Sequence, residues 1–356
     1  MEPFVHALTG ALVALAVEPA RPRPGFAGRP VRVAAGVTAA LLPDVTRLPM
    51  FSDPQAILAG GDGWTHSLVT APVWALLLAL VFALLVRRPR EWPMFLTITG
   101  PALLSHLALD LMTATGIQLW YPLAPTRYAV PLLFPVDLLL VGGLALVAGF
   151  ALWRPRFARW LAIGAFAAGA GYMVALANWR DEALGVGARM AAERGIVEPT
   201  VQVFPQPFSP LNWQVLVIHT DAIDVAWISL RRAASGTDAN APDHPLGALA
   251  AVRSGYPAPD AARWEQSFRF GADGGRAEFA RSAWGRPEFT RFRRFSVYTV
   301  LSHVEYRADS RQVCAWFYDA RFKLPNVEPS YRFGSCQHMD DRTWSVQRAP
   351  GPFAFF

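Results

Sequence analysis

Long apolar runs in the first half of the chain constrain the fold more than any other feature. From these runs we predict helices over about 3–18, 31–43, 66–86, 93–113, 131–153 and 159–178. The last four approach the roughly 20 residues that a helix needs to cross a bilayer. Of the 356 residues, 53% are hydrophobic and 17% are charged, whereas soluble domains carry about 25% charged residues. The sequence therefore predicts a membrane α-helical bundle of about six helices.

Arginines in the connections between these runs predict the orientation of the chain. Loops 19–32, 87–92 and 154–159 are rich in arginine, whereas loops 44–65 and 114–130 contain only Arg47 and Arg127. Short positive loops stay in the cytoplasm. We therefore expect a multi-pass protein of the inner (plasma) membrane, with the region after Arg180 outside the cytoplasm. Because these loops explain the net charge of +6, no nucleic-acid partner is expected.

Residues 200–356 follow a different pattern. Segments such as WQVLVIHT and QVCAWFYDARF mix aromatic and β-branched residues with polar ones at a period near two, which is typical of strands. We predict a transmembrane helical domain over 1–180, a helical connector over 181–199 and a small, mainly β, extracytoplasmic domain over 200–356. Cys314 and Cys336 form one disulfide or remain two buried thiols, and an oxidising compartment favours the disulfide.

Ionisable residues within the apolar half fall at one end of the predicted helices. In the stretch SHLALD, His106 and Asp110 are one helical turn apart and share a face. Such groups are costly in hydrocarbon and mark functional sites. In the orientation predicted from the arginines, six ionisable residues lie near the outer ends of their helices: His6, Asp44, His66, His106, Asp110 and Asp137.

Histidines and aspartates that converge in this way are typical of a metal site. Imidazole nitrogens and carboxylate oxygens bind Zn²⁺, and Mn²⁺ or Mg²⁺ remain open because no cysteine lies in this half of the chain. Each residue also has a structural explanation, such as a hydrogen bond between His106 and Asp110 on one helix, or Thr65 as the cap of the next helix. The shared position of the residues favours the metal site.

The same residues resemble those of a known family. An early histidine in the first helix and the stretches LLPDVTRLP, WTHS, SHLALDLMTATGIQLWYPLAPTRYAV and FPVD are similar to the membrane-bound, metal-dependent hydrolases of the YdjM/YfhP type. The similarity continues into FPQPFSPLNWQVLV and WFYDARF. This family resembles, more distantly, the zinc-dependent phospholipase C and P1 nuclease group. Carried over to this chain, the resemblance implies these metal ligands: His6, Asp44, His66, His106 and Asp110.

The chain departs from the family pattern in two places. The family commonly has His-Arg-Gly before THS, where this chain reads GDGWTHS. Asp62 stands in this stretch as a substitute ligand or general base, or the role is lost. The catalytic residue expected to orient or deprotonate the attacking water is Asp62 or Asp137. The sequence has no second HxxxD pair, so we expect one or two zinc ions. Arg127 is the predicted substrate-binding residue, because a guanidinium suits an anionic group.

The function implied is that of an integral membrane metal-dependent hydrolase. It would cleave a phosphoester at the extracytoplasmic face, with a lipid or other amphiphile as one candidate substrate and the bilayer as its surroundings. The alternative is a non-catalytic metal-binding or metal-sensing membrane protein whose β domain binds a partner. A transporter is disfavoured, because the polar residues cluster at one face and do not run through the bilayer.

Overall fold

Apolar helices make up the first half of the chain in the computed structural model, which describes residues 2–18, 27–51, 63–220, 222–232, 245–272, 274–329 and 331–349. These helices are α1 Pro3–Ala16, α2 Arg29–Leu41, α3 Ala71–Leu85, α4 Trp92–Leu111, α5 Leu138–Trp153 and α6 Ala158–Glu193. A 3-10 segment, Leu42–Phe51, follows α2 directly. The chain divides inside α6 into a helical unit up to Ala177 and a C-terminal unit from Asn178 onward.

Prolines determine where several of these helices begin and end. A proline occupies the first or second position of α1, α2, α3 and α4, where its missing N–H removes no helical hydrogen bond. A residue that precedes proline is disfavoured in the α conformation. Accordingly, Arg88 and Arg154, which stand before Pro89 and Pro155, have left the helical conformation. The two arginine-rich connections are short for this reason.

The expected bundle of about six membrane helices is wrong. Among the described residues, only two helical stretches are long and apolar enough to cross a membrane, Pro89–Leu111 and Pro155–Glu193. Residues 66–70 and 131–137, which we assigned to helices, instead precede α3 and α5 as turns and irregular chain. The 15 residues of α3 therefore rise only about 22 Å, less than the roughly 30 Å of a hydrocarbon core.

Helices α1 and α2 touch backbone to backbone at a pair of glycines. A Cβ atom at Gly10 would overlap the carbonyl oxygen of Gly36, and a Cβ atom at Gly36 would overlap that of Gly10. Gly10 also faces Ala40, and Gly36 faces Ala14, so the two helices run antiparallel. Extending this register towards the start of α1 brings His6 to the level of the end of α2.

The C-terminal unit begins with the second part of α6, which packs on an antiparallel sheet. The strands are β1 Thr200–Pro205, β2 Asn212–His219, β3 Ala222–Ser229 and β4 Glu265–Phe268, in that order. Ala183 and Val186 of α6 share a buried cluster with Trp213 and Val215 of the sheet. The predicted helical connector, 181–199, begins with the last part of α6, which runs without a break to Glu193.

A second antiparallel sheet with its own core completes the C-terminal unit. Its strands are β5 Thr299–Arg307, β6 Gln312–Asp319, β7 Arg332–His338 and β8 Trp344–Arg348. The helices of this unit are α7 Pro245–Ser254, α8 Gly274–Trp284 and α9 Thr290–Phe295. Phe292 of α9 packs with Phe317 and Phe333 of the sheet. Cys314 and Cys336 are opposite each other on β6 and β7 and form a disulfide.

These sheets also correct the expected form of the second half. In place of one small, mainly β domain, the described residues contain two separate four-stranded antiparallel sheets accompanied by helices. The alternation of residues predicted strands, but it carries no information on which strands pair. Pairing depends on contacts between residues far apart in sequence, and those contacts separate β4 from β5 into different sheets.

We predict that Gly36→Ala destabilises the helical unit by about 1–3 kcal/mol, because the added Cβ meets a backbone carbonyl that has no room to move. The measurement is thermal unfolding of the detergent-purified protein. Gly142→Ala in α5 is the matched control, since a Cβ there meets nothing within 4 Å and alanine favours a helix. Equal stability of the two variants would contradict the close contact of α1 with α2.

Candidate metal centre

Helix α4 supplies two of the candidate ligands, His106 and Asp110. Their spacing of four residues places both side chains on one face of the helix, and both are buried in the unit. His106 Nε2 lies 3.6 Å from Asp110 Oδ2. The pair thus presents a nitrogen and an oxygen to the same space near the end of α4.

His66 enters this space from the turn that precedes α3. The next residue, Ser67, anchors the turn by donating its hydroxyl to the carbonyl of Tyr121 at 2.6 Å and to that of Leu119 at 3.1 Å. The amide of Leu68 also donates to the Leu119 carbonyl. The His66 side chain is fully buried, and its Nε2 lies 3.4 Å from Asp110 Oδ2.

Asp44 joins the group from the 3-10 segment after α2. Each of Asp44, His66, His106 and Asp110 offers one ligand atom, and these atoms all lie within 4.8 Å of one another. The turn that carries His66 is held against this segment, because Thr65 donates its hydroxyl to the carbonyl of Pro43 at 3.2 Å. Residues from three separate parts of the chain therefore meet at one point.

The two imidazoles of this group face each other through their Nε2 atoms. His106 Nδ1 lies 2.7 Å from the Ala40 carbonyl, which only accepts, so Nδ1 carries the proton and Nε2 the lone pair. His66 Nδ1 lies 3.1 Å from Thr65 Oγ1. Where that hydroxyl donates to Pro43, it accepts the proton of His66 Nδ1. The two Nε2 atoms lie 3.2 Å apart. With the proton of each ring on Nδ1, two lone pairs and a carboxylate point at one place, whereas a His66 ring protonated on Nε2 donates to His106.

This arrangement fits a divalent metal ion. Two ligand atoms at about 2.0–2.1 Å from a tetrahedral ion lie about 3.3 Å apart. The separations between the His66, His106 and Asp110 ligand atoms are 3.2, 3.4 and 3.6 Å. Two nitrogens and two carboxylate oxygens form a donor set that suits zinc and also suits manganese. The hydrogen bonds to Ala40 and Thr65 are the outer contacts that orient metal-binding histidines.

His6 lies beside this group and contacts the other oxygen of Asp110. Its ring stacks on that of His106 with centroids 3.8 Å apart. His6 Nε2 is 3.2 Å from Asp110 Oδ1, whereas His66 and His106 approach Oδ2. His6 is fully buried. The structure therefore places all five predicted ligands close together, four as one cluster and His6 beside it, at the other oxygen of Asp110.

The other predicted site residues are placed differently. Asp62 lies outside the described residues. Asp137 caps α5, because its Oδ1 accepts from the amide of Leu140 at 2.9 Å and its Oδ2 accepts from the hydroxyl of Tyr172 at 2.8 Å. Arg127 is exposed and donates to the carbonyl of Gly116 at 3.1 Å. The catalytic roles of Asp62 and Asp137 and the substrate-binding role of Arg127 stay predictions.

Sequence reasoning missed two groups that orient the histidines. The Ala40 carbonyl is a backbone atom near the end of α2, and no residue type signals its role. Thr65, which we considered as a helix cap, instead bonds to the adjacent His66, while α3 begins later, at Ala71. A threonine directly before a metal-binding histidine was the one available signal.

We predict that Thr65→Val lowers zinc affinity by about 10- to 100-fold, because His66 loses the acceptor that orients its ring. Isothermal titration of the purified, metal-stripped protein with zinc measures this change. Thr97→Val is the control, since Thr97 is exposed on α4 and bonds only to the Met94 carbonyl among the described residues. Unchanged affinity in Thr65→Val would show that this hydroxyl does not support the site.

Residues 1–181 match the family described as YdjM inner membrane protein. The match covers about half of the chain, including every residue of the metal cluster. No curated protein and no solved structure matches the chain. By this match to its first half, the chain belongs to the YdjM family of inner membrane proteins.

Proposed function

We propose that this inner membrane protein is a metal-dependent hydrolase that cleaves a phosphoester. One observation carries the proposal: the ligand atoms of Asp44, His66, His106 and Asp110 lie within 4.8 Å of one another. In the metal-binding tautomer both imidazoles direct lone pairs inwards. Such a set of lone pairs and carboxylates repels itself unless a cation lies among them. The resemblance to zinc phosphoesterases supports phosphate esters as the substrate class.

In the proposed site each residue has a separate task. Asp44, His66, His106 and Asp110 would hold one ion, and His6 would be available to a second ion near Oδ1 of Asp110. A bound divalent ion supplies an activated water at neutral pH and polarises a phosphoryl oxygen. Zinc is the metal we favour, because histidine and carboxylate ligands together suit it. Ala40 and Thr65 keep the two imidazoles in the tautomer that binds metal.

The remaining tasks go to the three residues outside the cluster. We assign the orientation or deprotonation of water to Asp62 or Asp137, and the binding of the anionic ester to Arg127. Asp137 would have to release Tyr172 to accept a proton. Arg127 lies in the segment after α4, which is bound to the end of that helix through Val130 N and the Leu111 carbonyl.

A non-catalytic, metal-binding or metal-sensing role is the second candidate. It is favoured by the burial of the ligands, since His6, His66 and His106 are each 0% exposed, as in closed structural metal sites. In this case the C-terminal unit would bind a partner. Both candidates need the metal, but only the hydrolase turns over a substrate, so the next experiment separates them.

We predict that the zinc-loaded protein hydrolyses a chromogenic phosphodiester, and that a chelator abolishes the reaction. The double variant His106→Ala, Asp110→Ala should no longer bind zinc, because two of the metal ligands are removed. Its activity should fall by at least about 100-fold. His303→Ala, at a half-exposed histidine of the C-terminal unit, is the control. Zinc binding without turnover on phosphodiesters and phosphomonoesters would favour the sensing role. Activity that survives in the double variant would exclude catalysis at this site.

We further propose that the C-terminal unit is extracytoplasmic. The disulfide between Cys314 and Cys336 supports this placement, because such bonds persist in oxidising compartments. The arginine-rich connections of the helical unit favour the cytoplasm. The C-terminal unit would then lie on the other side of the membrane from these connections.

We predict that both cysteines are oxidised in living cells. Free thiols are blocked during an acid quench, disulfides are then reduced, and the new thiols are tagged with a mass label. The wild-type chain should take up two tags, whereas Cys336→Ser, whose Cys314 is blocked at the first step, should take up none. Cysteines of the wild-type chain that are blocked before reduction would contradict an oxidising location.

A further inference from the structure

The turn between α5 and α6 carries three exposed arginines, each stacked on an aromatic neighbour. We call residues 153–160, which read WRPRFARW, the arginine turn. The guanidinium of Arg154 lies 4.2 Å from the centre of the Trp153 ring, and that of Arg156 lies 4.7 Å from the Phe157 ring. Arg159 lies 5.8 Å from the Trp160 ring. All three arginines and all three rings are exposed.

The arginine turn lies at the end of two apolar helices. Helix α5 ends at Trp153, and the stretch long enough to cross a membrane begins at Pro155. Arg29 of α2 donates to the Pro155 carbonyl at 3.2 Å, which places the beginning of α2 at the same end. The metal cluster involves the last turns of α2 and α4, at the other end of these helices.

Some other arginines at this end pair with acidic side chains, but those of the arginine turn do not. Arg29 and Arg32 pair with Glu18 at 2.8 and 2.6 Å. Across the part of the chain that the structure describes, Arg154, Arg156 and Arg159 form no ion pair with an acidic side chain. Three positive charges therefore stand together, beside exposed apolar surface, without a protein counter-charge.

We propose that the arginine turn binds the headgroups of anionic phospholipids. A guanidinium donates to phosphate oxygens through two parallel hydrogen bonds, and tryptophan rings settle at the level of the membrane interface. Each stacked pair thus presents a ring to the glycerol and acyl region and a charge to the phosphate. A soluble polyanion would neutralise the arginines but would leave the exposed Leu152, Trp153 and Trp160 side chains in water.

The size of the effect follows from the charge. An arginine near an anionic membrane surface strengthens binding by about 5-fold, and three together by about 100-fold. The attraction weakens as salt is added, because the charges are exposed to screening. Phosphatidylcholine, which has the same phosphate but no net charge, should bind much more weakly than phosphatidylglycerol.

The test uses the full, detergent-purified chain and dioctanoyl phosphatidylglycerol, with retained lipid measured by native mass spectrometry. We expect the triple variant Arg154→Gln, Arg156→Gln, Arg159→Gln to bind about 100-fold less of this lipid than the wild-type chain. The control variant Arg253→Gln, Arg291→Gln, Arg294→Gln removes the same charge from exposed positions of the C-terminal unit and should bind like the wild-type chain.

Two further measurements show whether the triple variant is folded. Zinc content and thermal unfolding of the triple variant should match those of the wild-type chain, which excludes a folding defect. Unchanged phosphatidylglycerol binding in the triple variant would overturn the proposal. So would equal binding of phosphatidylcholine, or binding of inorganic phosphate or of a nucleic-acid oligomer as tight as that of phosphatidylglycerol.

Discussion

The hydrogen bond from His106 Nδ1 to the Ala40 carbonyl is the contact on which the rest of the site depends. The last carbonyls of a helix have no partner within the helix, and Ala40 is one residue from the end of α2. His106 satisfies that carbonyl at 2.7 Å, and the bond fixes the tautomer of its ring. The same bond joins the ends of α2 and α4, so Asp44 and Asp110 come together. The order of the metal cluster is thus coupled to the packing of the helices.

Close backbone packing makes this coupling possible. Gly10 and Gly36 allow α1 and α2 to approach until backbone atoms touch, as small residues do between membrane helices. The approach brings His6 alongside His106, with the two rings stacked at 3.8 Å. A larger residue at either glycine would separate the helices and, with them, the histidines. The site is consequently a property of the whole helical unit and not of one motif.

The sequence predicted the site better than the fold, for physical reasons. The spacing of His106 and Asp110 is a local property of one helix, and loop charges indicated which helix ends lie together. Helix lengths were overestimated, because apolar residues around 66–70 and 131–137 read as helix although they form turns. The strands were recognisable from alternation, but their separation into two sheets depends on distant contacts. The acceptor role of the Ala40 carbonyl has no signature in side chains.

The two oxygens of Asp110 separate the histidines into two groups, and this division bears on the number of ions. Oδ2 faces His66 and His106, whereas Oδ1 faces His6. His6 is fully buried and, among the described residues, neither of its nitrogens has a hydrogen-bond partner, although Nε2 is within ion-pair distance of Oδ1. A buried polar group without a partner is costly. A proton on Nε2 would remove part of that cost by donating to Oδ1, whereas a proton on Nδ1 would leave the Nε2 lone pair for an ion beside Oδ1. The position of the His6 proton therefore decides whether the site has room for one ion or for two.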